Sequence, residues 1–165
     1  MQRSVNGKPL TYLDSGATAQ KPERVIEAVN RMHREQNANI HRGVHLLSAE
    51  ATELYEQARE RVRSFIGAAA REEVIFTAGA TASINTVAYA WSEKFLHAGD
   101  NIIISEMEHH SNIVPWQVVA ERRGAEIRVL PFDEEGRLMT ERLDTLLDER
   151  TRMVAVTQAS NTLGT

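Results

Sequence analysis

A carboxylate followed by two histidines is the stretch of this sequence whose residue types most strongly suggest a chemical function. Glu108, His109 and His110 follow an apolar run at residues 102–104. One interpretation is metal binding, because imidazole is a common ligand. Successive residues at a strand end point in opposite directions, however, so both rings rarely reach one ion. A second interpretation is that one ring stacks on an aromatic ligand and assists proton transfer, and the third is a histidine that only caps a turn. The spacing alone leaves these interpretations open.

A second pair, His41 and His45, has the i, i+4 spacing of a zinc-binding helix. Gly43 lies between them and argues against the rigid helix that such a pair needs. We therefore predict no metal site. The chain also contains no cysteine, which excludes thiolate ligands, disulfides and a cysteine nucleophile within these residues.

Residues 77–83 are small, hydroxylated and followed directly by a helical pattern. A glycine-containing turn that opens a helix presents free backbone N–H groups and the positive end of the helix dipole, which suits a phosphate. Thr81 or Ser83 could add a hydroxyl donor. Small residues at such a turn also serve tight packing alone, so both interpretations stand.

Ser160 and Asn161 follow another apolar run. The first interpretation is a simple turn, which both residue types favour. The second is an asparagine amide that hydrogen-bonds a ring substituent of a ligand.

Four short apolar runs separated by helical patterns must position these groups. Strands alternating with helices imply βαβ units and a parallel sheet covered on both faces, so we predict an α/β fold. Ligands bind outside the carboxyl ends of such strands, where the polar loops at residues 77–83, 105–112 and 157–165 converge. Residues 131–136 form a plain turn. The predicted strands are residues 74–76, 101–104, 127–130 and 153–156.

Helical patterns dominate the N-terminal part of the chain. Pro22 suits the first turn of one helix, because its missing N–H would have no partner there. A second helix should start at Ser48 or Thr52, both good N-caps, and end just before Gly67.

The composition narrows the class of protein. The 165 residues include 19 Lys and Arg against 23 Asp and Glu, which gives a formal charge of −4. That balance argues against nucleic-acid binding, which needs a basic face. No apolar run is long enough to span a membrane, and residues 1–7 lack the apolar core of a signal peptide. We therefore expect a cytoplasmic protein without nucleic-acid or membrane partners.

Taken together, five stretches of the chain resemble the SUF-system cysteine desulfurases, also called selenocysteine lyase-type enzymes, of the class V aminotransferase family. The most specific stretch is Glu-His-His-Ser-Asn-Ile-Val-Pro-Trp at residues 108–116. The resemblance runs in register from about Val5 to Thr165. The stretches are residues 12–22, 39–45, 99–105, 108–116 and 160–164.

This resemblance implies the type I fold of pyridoxal phosphate (PLP) enzymes, with a mostly parallel sheet and flanking helices. Residues 1–66 would form an N-terminal helical segment, and residues 67–165 the first, incomplete part of the PLP-binding large domain. The implied reaction converts L-cysteine to L-alanine and an enzyme persulfide, with PLP as the electron sink. Neighbouring enzymes of the family act on L-selenocysteine. The implied partners are a sulfur-acceptor protein of iron–sulfur cluster assembly and a second copy in a homodimer.

Matching motifs also imply site residues. Ala80 and Thr81 would hold the cofactor phosphate. His109 would be the catalytic residue that stacks on the pyridine ring and assists proton transfer. Asn161 would approach the phenolic oxygen of the cofactor. The substrate positions that the resemblance implies are Asn161, His41 and Arg42.

The phosphate loop departs from the family pattern. The family usually has Arg-Gly-Thr-Thr-Glu where residues 78–82 of this chain read Ala-Gly-Ala-Thr-Ala, so one hydroxyl and two charges are missing. Thr81 and the helix end could still hold a phosphate.

The other departure concerns groups that the family carries after the position of Asn161. The Schiff-base lysine and the persulfide cysteine have no counterpart in the chain; the lysines present are Lys8, Lys21 and Lys94, and none occupies a matching position. We therefore expect an N-terminal fragment of a desulfurase that does not catalyse the reaction alone. The alternative is a non-catalytic short homologue that serves as a binding or dimerisation module.

Overall fold

The computed structural model describes residues 3–165, which divide into two compact units. The first unit ends at Phe76, later in the chain than residue 66, where the predicted helical segment ends; the second is Thr77–Thr165. Met1 and Gln2, part of the N-terminal stretch considered above, lie outside the described residues.

A short hairpin opens the first unit. Strands β1 (Ser4–Val5) and β2 (Lys8–Pro9) pair antiparallel. Asn6 and Gly7 join them with φ angles of 52° and 76°. An Asn-Gly pair favours such a turn, because both central residues need left-handed backbone. Strands of two residues leave too little alternation to be seen in the sequence.

Two helices follow, and the second begins earlier than predicted. Helix α1 is Glu23–Glu35, and Pro22, predicted in its first turn, is the N-cap one residue before it. Helix α2 is Leu46–Ile66 and ends, as expected, at Gly67, whose φ of 71° is left-handed. The predicted caps Ser48 and Thr52 lie inside α2. The cap is His45, whose Nδ1 accepts the Ser48 N–H at 3.4 Å, so an imidazole nitrogen replaces the expected hydroxyl.

The predicted strand at residues 74–76 is wrong. The segment follows the 3-10 helix Arg71–Glu73 but pairs with no strand within residues 3–165, and Ile75 is 73% exposed. A strand exists through hydrogen bonds to a neighbour, so an apolar run without one stays irregular. The Arg59 guanidinium of α2 instead donates to the Val74 carbonyl at 3.2 Å and to the Arg71 carbonyl of the 3-10 helix at 2.7 Å.

Three parallel strands form the sheet of the second unit. They are β3 (Asn101–Ser105), β4 (Glu126–Leu130) and β5 (Thr151–Ala155). The order is β4-β3-β5, with β3 paired in parallel to both neighbours. The predicted α/β fold and three of its four strands are confirmed, with β5 beginning earlier than expected.

Helices alternate with these strands. They are α3 (Ala80–Phe95), α4 (Val114–Arg123) and α5 (Leu143–Leu146). In the part of the chain that the structure describes, no helix is both long and apolar enough to cross a membrane.

The central strand β3 organises the core. All five of its residues are buried, and it has a strand on either side. Ile102 and Ile104 join a cluster with α3 and α4, whereas Ile103 points to the other face of the sheet. The members of that cluster are Ala88, Leu96, Ile102, Ile104, Trp116, Val119 and Ala155. The loops that follow β3 and β5 are thus held at one edge of a packed sheet.

Candidate active site

The N-terminus of α3 is open. Gly79 precedes it with φ 145° and ψ 176°, and no side chain caps the helix. The Thr77 hydroxyl closes the loop behind it, since it donates to the Gly79 carbonyl at 3.0 Å and lies 2.6 Å from the Ser83 hydroxyl. At the start of α3, the N–H groups of Ala80, Thr81 and Ala82 have no hydrogen-bond partner among the described residues. Free N–H groups at the positive end of a helix suit an anion.

Thr81 and His109 line the same cavity, of about 300 Å³. It lies where the first turns of α3 meet the 3-10 helix His110–Asn112, which follows β3. The other lining residues are Asn85, His110, Ser111, Val114 and Pro115. One small ligand could therefore touch both the helix end and the histidine.

The His109 ring is held through its Nδ1 atom. Nδ1 accepts the Ser111 N–H at 3.1 Å and lies 2.9 Å from the Ser111 hydroxyl. His109 thereby caps the 3-10 helix, as the third interpretation of this motif proposed. A ring nitrogen that accepts an N–H bond carries no proton, so the neutral ring has its proton on Nε2. Capping leaves Nε2 as the nitrogen that can act on a ligand.

His109 also lines a second cavity, of about 460 Å³, at the carboxyl end of β5. Residues 153–157 and the α3 side chains Ile84 and Val87 form much of its wall. The His109 ring therefore takes part in two neighbouring cavities, one at the start of α3 and one at the end of β5.

Glu108 makes the densest set of polar contacts in this region, and sequence reasoning assigned it no role. It is 9% exposed, and its carboxylate accepts hydrogen bonds from Ser105, Asn112 and the Thr157 N–H. The sequence feature that could have indicated these contacts is the spacing of the polar residues: Ser105 lies three residues before Glu108, and Asn112 lies four residues after it. That spacing gains meaning only once the loop is known to fold back on the end of β3.

Asn161 lies in a turn. The buried Ser160 hydroxyl accepts the N–H groups of Thr162 and Leu163 at 3.2 and 3.0 Å. The Thr165 hydroxyl donates to the Gly136 carbonyl at 2.6 Å, which ties this turn to the one after β4. Asn161 itself is exposed and is absent from the described walls of both cavities around His109. Its assignment to cofactor and substrate stays a prediction.

His41 and Arg42 belong to the first unit. The His41 N–H donates to the Thr52 hydroxyl at 3.0 Å, and its Nε2 lies 3.1 Å from a Glu56 carboxylate oxygen. Arg42 lines an open cavity of about 430 Å³ beside the start of α2. Their assignment to substrate also stays a prediction.

Two buried or paired carboxylates lie at the opposite, amino ends of the strands. The Arg128 guanidinium, 2.7 Å from Asp148, lowers the pKa of that carboxyl to about 2. The His97 N–H donates to Asp100 at 2.9 Å and, together with Arg152, lowers the Asp100 pKa. These charges stabilise the strand starts and lie away from the cavities.

Comparison with known proteins identifies the family. A family model described as aminotransferase class-V matches residues 11–165. The chain belongs to the class V aminotransferase family. Among curated members, the cysteine desulfurases of Enterobacter sp. (strain 638) and Cronobacter sakazakii (strain ATCC BAA-894) are 54% and 53% identical to it over 165 residues. The aligned stretch is all of this chain and 41% of each relative, so the chain spans less than half of their length.

Solved structures of this family have the same fold. The cysteine desulfurase CsdA from Escherichia coli aligns with a TM-score of 0.79 and 39% identity, over 93% of this chain and 39% of that one. The apo cysteine desulfurase from Thermococcus onnurineus NA1 gives 0.84 and 38%, over 92% and 37%. The fold and the family implied by the sequence motifs are confirmed.

Proposed function

We propose that this class V aminotransferase chain forms the phosphate-holding and ring-stacking part of a PLP-dependent cysteine desulfurase. One observation carries the proposal: Thr81, at a helix end with free N–H groups, and His109, from a different loop, line one cavity. The identity of 54% to a cysteine desulfurase supports the choice of reaction within the family.

The residues of the second unit fit a phosphorylated aromatic cofactor. The N–H groups of Ala80 and Thr81, with the Thr81 hydroxyl, would hold the phosphate by charge-assisted hydrogen bonds. The His109 ring would stack on the pyridine ring, and its free Nε2 would hold or pass a proton. PLP, when bound, supplies an electron sink for the bond cleavage at the substrate.

The substrate assignment follows the relatives. We propose L-cysteine, or L-selenocysteine, as substrate, with Asn161, His41 and Arg42 as its binding residues. L-Alanine would be one product, and with L-cysteine as substrate the sulfur would pass as a persulfide to an acceptor protein that serves iron–sulfur cluster assembly. The working form would be a cytoplasmic homodimer without nucleic-acid or membrane partners.

A chimera tests the reaction. This chain replaces the matching 165 residues of the Enterobacter desulfurase, and the other residues of that enzyme stay unchanged. We expect the chimera to release alanine from L-cysteine, and sulfide when a reductant is present. A folded chimera that retains PLP but forms no alanine would contradict the proposal.

The same chimera tests the histidine. His109→Ala should slow turnover more than it weakens PLP retention, because the phosphate contacts remain. His33→Ala, on the exposed helix α1, is the matched control and should change neither quantity. Unchanged turnover in His109→Ala would remove His109 from the catalytic groups.

A further inference from the structure

One buried carboxylate joins the two loops that border the larger cavity. Glu108 Oε1 accepts the Ser105 hydroxyl at 2.5 Å and the Thr157 N–H at 2.6 Å. Its Oε2 accepts the Asn112 amide at 2.8 Å. Ser105 is the last residue of β3 and Thr157 follows β5, so the carboxylate connects the carboxyl ends of two adjacent strands.

Two groups that can only donate, the Trp116 indole N–H and the Thr157 backbone N–H, fix the direction of the hydrogen bonds along this network. Trp116 Nε1, in a 3% exposed side chain, donates to Asn112 Oδ1 at 2.8 Å. An indole nitrogen only donates, so Asn112 must turn its oxygen to Trp116 and its NH₂ group to Glu108. Glu108 must then accept at both oxygens. A carboxylate does so, whereas a carboxamide of the same size has one donor end.

This network also holds the residue next to it. His109 follows Glu108 directly, and the Asn112 N–H donates to the His109 carbonyl at 2.8 Å. The backbone on both sides of His109 is thus anchored by members of the network, while the Ser111 N–H holds Nδ1 of the ring.

We propose that Glu108 is a positioning residue, whose carboxylate sets the orientation of the His109 ring and fixes the loop after β3 against the loop after β5. Its contribution to turnover rests on the proposed function of the chain. The positioning itself rests on the contacts alone and is measured without any cofactor.

Glu108→Gln in the 165-residue chain is the first test. The glutamine keeps the side-chain size, but its NH₂ group meets the NH₂ group of Asn112. We expect hydrogen exchange at the Thr157 amide to become at least about tenfold faster. The nitrogen NMR spectrum of His109 should change from one Nε2–H tautomer to a mixture. Glu106→Gln, an exposed glutamate of the same loop, is the matched control and should alter neither signal.

The double variant Glu108→Gln/Trp116→Phe tests the donor and acceptor directions within the network. Without the indole donor, Asn112 can rotate its amide and present its oxygen to the NH₂ group of the introduced glutamine. We expect that double variant to regain Thr157 protection and the single His109 tautomer relative to Glu108→Gln. If the two substitutions instead damaged the structure independently, their losses of Thr157 protection would add. Additive losses in the double variant would overturn the proposal.

Activity gives the third readout. In the chimera, Glu108→Gln should lower kcat about ten- to a hundredfold with a smaller change in KM, because a displaced catalytic group costs rate more than binding. A parent chimera that folds and retains PLP but is inactive would refute the proposed function, and the exchange and tautomer data would still decide the positioning. Unchanged exchange and tautomer in Glu108→Gln would overturn the positioning at any level of activity.

Discussion

Gly79 has a backbone conformation that side chains with a Cβ rarely adopt. Its φ of 145° and ψ of 176° lie in a region that is essentially restricted to glycine, where other residues cost about 1–3 kcal/mol. A Cβ built there would meet nothing within 4 Å, so steric contact adds no cost. The open helix end therefore depends on this one residue.

Gly79→Ala should lower the free energy of unfolding by about 1–3 kcal/mol, measured in urea. D-Alanine at the same position, introduced by peptide ligation at Ala80, is the matched control. The mirror image of this conformation is ordinary extended backbone, so D-alanine should fit without strain. Equal losses for the two alanines would show that the backbone conformation is not the cause.

Thr81→Val should weaken binding of pyridoxamine 5′-phosphate to the chain about tenfold, because one hydroxyl donor to a charged phosphate is lost. This probe cannot form an imine with surface lysines, so titration followed by fluorescence reports the phosphate site. Thr86→Val is the control, since the Thr86 hydroxyl already bonds the Ala82 carbonyl. An unchanged Kd in Thr81→Val would exclude Thr81 from the site.

Residue types singled out His109 in the sequence but gave no sign of the buried hydrogen-bond network of Glu108. A histidine near a strand end suggests a functional role by its residue type alone. A glutamate does not, because glutamates are common on solvated surfaces and the sequence does not distinguish those from a buried, hydrogen-bonded one. The contact between Glu108 and Thr157 joins residues 49 positions apart in the chain. No local pattern encodes such a distance.

At the scale of elements, β3 is the strand of the sheet whose residues are all buried. Ile103 has 0% exposure, and its strand is covered on both edges by β4 and β5. Ile103→Ala should lower the free energy of unfolding by about 2–5 kcal/mol, the range for deleting a buried aliphatic side chain. Val129→Ala on the edge strand β4, where Val129 is 48% exposed, is the control and should cost much less. Comparable losses from urea unfolding would contradict this description of the core.

Periodicity predicted the helices with clear end signals and the strands that have a neighbouring strand among the described residues. The helices after Pro22 and before Gly67 follow local rules, and β3, β4 and β5 pair with one another. The run at residues 74–76 looks the same by composition but has no strand beside it among the described residues. A strand forms only where a neighbouring strand is available for hydrogen bonding, so composition alone predicts more strands than the structure contains.

At the scale of the whole second unit, one carboxylate connects all three strands at their amino ends. Asp148, just before β5, accepts Asn101 Nδ2 of β3 at 2.9 Å and lies 2.7 Å from Arg128 of β4. Its pKa of about 2 lies below the ordinary value of 3.8, chiefly because of the bond from Arg128. The stabilisation is therefore complete above about pH 4 and is lost as the pH falls toward 2.

Asp148→Asn should accordingly flatten the fall of Tm between pH 4 and pH 2, followed by circular dichroism. Arg128→Gln should flatten it similarly, because it removes the principal cause of the low pKa. Adding Asp148→Asn to Arg128→Gln should then change the slope little. A full additional change in the double variant would mean that the two groups act independently.

The unpaired stretch between the two units has a consequence for the integrity of the chain. Within the described residues, the backbone of Ile75, Phe76 and Ala78 makes no hydrogen bond, and the Phe76 side chain is 43% exposed. Proteases cleave segments that are exposed and free to adopt an extended form in their clefts. Chymotrypsin should therefore nick the folded chain after Phe76, at the point where one compact unit ends and the next begins.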